Sequence, residues 1–161
     1  DFCGDLSQPE RLAQTVRDVV NIVGAHAKRS DIAFDIELTE PLMLTGDPTQ
    51  LQQVVLNLVS NAIDSLRDIE NRVRILQVRG IVSTGFVELE IEDNGSGIPV
   101  DKQNEVFSLF KSNKSDGMGV GLWLSQSIVE SHGGTLTFFS HPWQGSVFTL
   151  RLPSTEYVLK D

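Results

Sequence analysis

The chain has 161 residues, 40% hydrophobic and 22% charged, which is enough for one domain with a real core and excludes a disordered or fibrous protein. Its 13 Lys and Arg are scattered among 22 Asp and Glu for a net charge of −9, so no nucleic-acid partner is expected. No apolar run approaches the length of a membrane span and no secretory signal is visible, so no direct membrane contact is expected either.

In chain order, residues 9 to 28 place Leu12, Val16, Val19, Val20 and Val23 at helical spacing, which predicts an amphipathic helix. AFDIEL at 33–38 alternates like a strand, and LMLTG at 42–46 suggests a short second one. Asp47 followed by Pro48 predicts an N-cap with proline in the first turn, opening a helix from about Pro48 to Arg67. On that helix Leu51, Val54, Val55, Leu58, Ala62 and Leu66 cover one broad face. Gln50, Gln53, Asn57, Asn61 and Asp64 form a narrow stripe on the other side, within about 40° of Asn57. A solvated face normally carries Lys, Glu and Arg, whereas asparagine is a poor helix former. The stripe is therefore either plain polar surface or a row of amide oxygens and one carboxylate, suited to a hard cation or to the polar edges of a ligand.

A strand near 74–82 precedes a second one ending VELEIED at Asp93. Val87, Leu89 and Ile91 share one face of it and the three glutamates the other, and Asp93 has the parity of the apolar set. A carboxylate on a core face is costly unless hydrogen-bonded, and DNGSGIP (93–99) follows directly. DKQNEVF (101–107) suggests a short helix, and SLFKSNKSDGMGVG lacks periodicity and reads as a loop. In FSLFKSNKSD (107–116) Phe107, Leu109 and Phe110 can anchor the loop apolarly, and Lys111 and Lys114 stand before the glycine turn as either solvated charges or phosphate contacts. In GMGVGLWL three glycines, Gly117, Gly119 and Gly121, alternate and open into a helix from Leu122 to His132, an arrangement that suits an anion or else a hinge. Gly133 and Gly134 end that helix. TLTFFS and SVFTLRLP close the domain as strands, and Pro142-Trp143 before Gly145 reads as a turn without a functional account. In the last strand Ser146 heads the apolar face of Phe148, Leu150 and Leu152 as Asp93 ends its own. Two polar groups on core faces suggest a closed pocket for a polar, planar ligand; adenine fits, and a base bound to Asp93 would explain why that residue keeps its place.

Taken together, NLVSNAIDS, DNGSGIP, FSLF, GMGVGL and QGSVFTLRLP resemble, in order, the N, G1, F and G2 boxes and final glycine box of the catalytic ATP-binding domain of sensor histidine kinases, within the superfamily shared with gyrase, Hsp90 and MutL. The resemblance implies an α/β two-layer sandwich, a mixed and mostly antiparallel sheet packed on helices. It implies one domain over 1–161 with its core at about 9–154, bound to ATP and Mg²⁺. Asn61 would hold Mg²⁺ between the phosphates. Asp93 would accept from the adenine amine, Gly97 would let the base approach, and Ser146 would support a water there. Gly117, Gly119 and Gly121 would form the phosphate turn, and residues 111–116 the ATP lid, with Lys114 on a phosphate. Asn57, Asp64, Gly95, Ile98, Phe110, Val120 and Leu122 complete the implied binding set.

Gyrase-like and MutL-like ATPases and anti-sigma serine kinases carry a Glu four residues before the metal Asn. Here that place is Asn57, which is no general base near neutral pH, so transfer to an already nucleophilic imidazole is expected rather than hydrolysis. His26, His132 and His141 lack the context of a phosphoacceptor, and His132 reads as a helix-end residue. The acceptor histidine is thus expected on a dimerisation domain absent from this chain, with a response regulator downstream. The start at Asp1 rather than Met reads as a fragment of a longer protein. Cys3, the lone cysteine, suits a reducing, cytoplasmic setting. A gyrase-like ATPase and a nucleotide-sensing module without transfer activity are the alternatives.

Overall fold

The computed structural model describes residues 9–39, 42–108 and 121–155. In chain order the elements are β1 (Pro9–Arg11), α1 (Leu12–Arg29), β2 (Ile32–Leu38), β3 (Met43–Thr45), α2 (Pro48–Arg67), β4 (Arg74–Ser83), β5 (Phe86–Asp93), a 3-10 helix (Val100–Glu105), α3 (Gly121–Ser131), β6 (Thr135–His141) and β7 (Gly145–Pro153). Five strands form one sheet in the order β2-β4-β5-β7-β6. The β2–β4 pair is parallel and the other three are antiparallel, so the sheet is mixed as expected. A parallel pair needs a long crossover; β3 and α2 supply it.

Side-chain alternation decides which sheet face is covered. Val87, Leu89 and Ile91 of β5 are buried and Glu88, Glu90 and Glu92 are half-exposed, and a register slip of one residue would invert this. The glutamates lie on the uncovered face, where Glu88 is opposite Arg151 and Glu90 opposite Arg79. On the buried face α2 packs against β5, β4 and β7, flanked by α1 and α3. That central position explains why its apolar face is wider than the spacing predicts: Val59 and Ile63 are as buried as Leu51 and Val54. The start of α2 is capped as expected, Asp47 Oδ1 accepting from the N–H groups of Thr49 at 2.9 Å and Gln50 at 3.3 Å.

One element differs from the sequence reading. The first helix begins at Leu12 rather than Pro9, because residues 9–11 pair antiparallel with β3 and Leu12 N–H donates to Leu42 O at 2.8 Å. Arg11 offers no side-chain cap, so nothing local marks that start, and tertiary strand pairing overrides the helical pattern. The segment after Pro99 is a short helix as expected, of the 3-10 type, and none of its residues is buried. Among the described residues no helix is long and apolar enough to cross a membrane.

Candidate functional site

Asp93 closes β5 on its core face with only 4% of its surface exposed. The chain itself supplies donors to it: Ser65 Oγ, in the last turn of α2, donates to Oδ1 at 3.1 Å, and Gly95 N–H donates to the same oxygen at 2.9 Å. Asp93 therefore does not depend on a bound base to stay in the core. Directly across the ladder from Asp93 is Ser146 on β7, and across from Ser146 is Ser140 on β6. The two serine Oγ atoms are 2.8 Å apart and both residues are buried. The core faces of three neighbouring strands thus end in a polar row at one rim of the sheet.

The loop after Asp93 passes over this rim. A β-carbon on Gly95 would lie 2.4 Å from Ser65 Oγ, so only glycine lets the loop lie against α2. Gly97 has φ +69°, and a β-carbon there would lie 2.3 Å from His141 O. The close neighbour at Gly97 is thus the backbone of the β6–β7 turn, a constraint separate from the approach of a base. Trp143 N–H donates to Ser96 O at 2.6 Å, and Ile98 N–H donates to Ser140 Oγ at 2.9 Å. Gln103 Nε2 ties Ile98 O at 3.0 Å to Ser140 O at 3.2 Å. Ile98 and Leu122 pack, half-buried, against the core.

The remaining described residues of the site sit on α2 at four-residue spacing. Asn57 is buried, and its Nδ2 donates to Gly121 O at 3.2 Å and Ser125 Oγ at 3.1 Å. Its Oδ1 accepts from Gln53 Nε2 at 2.8 Å. Asn57 is thus a bridge from α2 to the first turn of α3 rather than part of a solvated face. Asn61, one turn on, is half-buried and makes no side-chain hydrogen bond within the described residues. Ser65, a further turn on, reaches Asp93. Four residues of helix rise about 6 Å, so one face of α2 spans about 12 Å between the start of α3 and the end of β5. Asp64, beside this face, is half-buried and pairs with Arg67 Nη1 at 3.8 Å.

Phe110, Lys111, Lys114, Asp116, Gly117, Gly119 and Val120 lie outside the described residues. Among the described residues no group of three or more His, Cys, Asp or Glu could hold a metal ion. Mg²⁺ needs none, since it keeps several waters and takes one or two protein oxygens together with substrate phosphates. The amide oxygen of Asn61, midway along the α2 face, is a hard donor that fits that requirement.

Four residues that the sequence reading did not single out hold this site together: Ser65, Ser125, Ser140 and Arg72. Ser140 was legible, since it shares the parity of Leu136 and Phe138 as Ser146 shares that of Phe148. Ser65 was legible too, four residues beyond Asn61 on the same helix. Arg72 left no signal, because the site atoms it meets are backbone carbonyls.

The fold and the α2–β5 rim define a nucleotide-binding domain of the histidine-kinase type. A family model described as histidine kinase-, DNA gyrase B-, and HSP90-like ATPase matches residues 46–156, and the chain belongs to that family. The sensor protein TdiS of Thauera aromatica is 30% identical over 148 residues, covering 90% of this chain. The C4-dicarboxylate transport sensor protein DctB of Rhizobium meliloti (strain 1021) is 38% identical over 111 residues, covering 69% of it. This chain spans only 27% of TdiS and 17% of DctB. The solved catalytic domain of histidine kinase ThkA matches with a TM-score of 0.80 at 26% identity, covering 91% of this chain and 95% of that one. A mycobacterial sensor histidine kinase, MprB, matches with a TM-score of 0.76 at 28% identity, covering 91% and 97%.

Proposed function

We propose that this chain is the catalytic domain of a sensor histidine kinase, with its core at about residues 9–154. It binds Mg·ATP and presents the γ-phosphate to a histidine on a dimerisation domain outside the chain. The observation that carries this reading is the buried Asp93, its Oδ1 held by Ser65 and Gly95 at the end of a core-facing strand. A carboxylate fixed in this way is an acceptor for the exocyclic amine of adenine, and Ser146 beside it can hold a water against the ring. From there the α2 face leads about 12 Å to the start of α3, the direction in which a triphosphate would extend. Asn61 would hold Mg²⁺ along that path, where the metal would neutralise phosphate charge. Lys114 and the glycines at 117, 119 and 121 would supply the remaining phosphate contacts.

Asn57 favours transfer over hydrolysis. An amide cannot take a proton from water, and this amide is already bonded to Gly121, Ser125 and Gln53. The histidine kinase ThkA has been solved in complex with a response regulator, and a response regulator is the proposed onward acceptor here. A cytoplasmic setting, where ATP is at hand as co-substrate, is the proposed location.

With γ-labelled ATP and Mg²⁺, the chain alone should bind nucleotide, stay unlabelled and release phosphate very slowly. Adding the separate acceptor domain in trans should give weak labelling of that domain, because the missing tether would otherwise supply an effective concentration in about the millimolar range. Label on His26, His132 or His141, or rapid phosphate release without a partner, would overturn the reading.

A further inference from the structure

We infer that Arg72 is a positioning residue for the adenine pocket, its guanidinium setting the separation of the two backbone walls, the loop after Asp93 and the β6–β7 turn. The inference rests on the nucleotide-binding reading above. Arg72 Nε donates to Asn94 O at 3.1 Å, and Nη2 reaches the same oxygen at 2.8 Å. Nη2 also meets Gly95 O at 3.1 Å and Trp143 O at 2.7 Å. The first two carbonyls belong to one wall and the third to the other. Nη1 is turned to Asn71 Oδ1 at 3.1 Å, which fixes the plane of the group.

Three features make this more than a surface contact. All three carbonyls gather around one nitrogen, Nη2, while Nε backs the first and Nη1 is held by Asn71, a planar arrangement that a lysine ammonium on its flexible stem does not keep. Trp143 has φ +62°, in the left-handed region that a bulky residue enters only when its surroundings hold it. Its carbonyl is held by Arg72 and its N–H by Ser96 O, although the residue is 63% exposed. The third feature is the route to Asp93. The carbonyl of Gly95 is taken by Arg72 and its N–H is given to Asp93 Oδ1, so a shift of Gly95 reaches the carboxylate through one residue.

The test uses the whole chain with Mg²⁺ and the non-hydrolysable analogues AMP-PNP and GMP-PNP. Arg72→Lys keeps the charge without the planar group, and Arg72→Met removes both. Calorimetry should show AMP-PNP binding weakened roughly tenfold or more in each, since the lost bonds are charge-assisted. The preference for AMP-PNP over GMP-PNP should narrow with it. Without nucleotide, the amides of Trp143 and Ile98 should exchange with solvent faster in both Arg72 variants.

Wild-type affinity in Arg72→Lys would overturn the positioning role, as would equal losses for the two analogues. Unchanged amide exchange alongside normal wild-type binding would overturn it while leaving the nucleotide reading intact. A wild type that binds no AMP-PNP would overturn both. One measurement needs no variant: saturating AMP-PNP should slow the Trp143 and Ile98 amides together in the wild type, and exchange indifferent to nucleotide would sink the proposal even if the variants failed to fold.

Discussion

At the scale of single residues, the site depends on how one carboxylate is held. Ser65 and Gly95 both donate to Asp93 Oδ1, which fixes the plane of the group in the core. Asp93→Asn can keep that accepting oxygen but places an N–H₂ group where the other oxygen was, facing a base with a donor instead of an acceptor. The unsatisfied pair costs about 1–3 kcal/mol, so ATP should bind one to two decades more weakly. Glu92→Gln, one residue away on the uncovered sheet face, should leave affinity unchanged; equal affinities for the two variants by calorimetry would remove Asp93 from the adenine site. Asp93 was legible because period-two alternation placed a charge among Val87, Leu89 and Ile91. Its donors were not, because a serine in a helix and a glycine N–H announce nothing until the elements meet.

At the scale of elements, α2 is held at both ends by partners distant in sequence. His132, just past α3, reaches its first turn: the N–H of Asp47 donates to His132 Nε2 at 3.2 Å. An N–H can only donate, so Nε2 is unprotonated and the proton sits on Nδ1, which donates to Ile128 O at 2.9 Å. The histidine therefore joins the C-terminal end of one helix to the N-cap of another. His132→Ala should destabilise the domain by about 1 kcal/mol, a melting temperature lower by roughly 2–4 °C for a chain of this size; a melt unchanged by calorimetry would show the bond to be idle. The boundaries of α2 could be read from Asp47 and Pro48, whose capping chemistry is local. The start of α1 could not, because Pro9 to Arg11 is ordered by a strand more than thirty residues away. The partners of Asn57 stayed hidden for a similar reason, since Gly121 and Ser125 lie 64 and 68 residues downstream.

At the scale of the whole molecule, one sheet face is buried under three helices and the other is uncovered, and three neighbouring strands end their apolar rows at the same rim. The order of the boxes along the chain was enough to infer the architecture. The pairing of Arg72 with three carbonyls was beyond reach because backbone atoms carry no sequence identity. The four-residue spacing of Asn57, Asn61 and Ser65 also bears on how the gene can change in length. One codon added between Asn57 and Ser65 would turn everything after it by about 100° and advance it about 1.5 Å, parting Ser65 from Asp93 or Asn57 from Gly121. The β4–β5 turn at Gly85 is under no such constraint, since nothing lies within 4 Å of a β-carbon there. A library of single-residue insertions selected for nucleotide binding should therefore be depleted across 57–65 and tolerated at 84–85. Survivors spread evenly over both stretches would show that α2 does not act as a ruler.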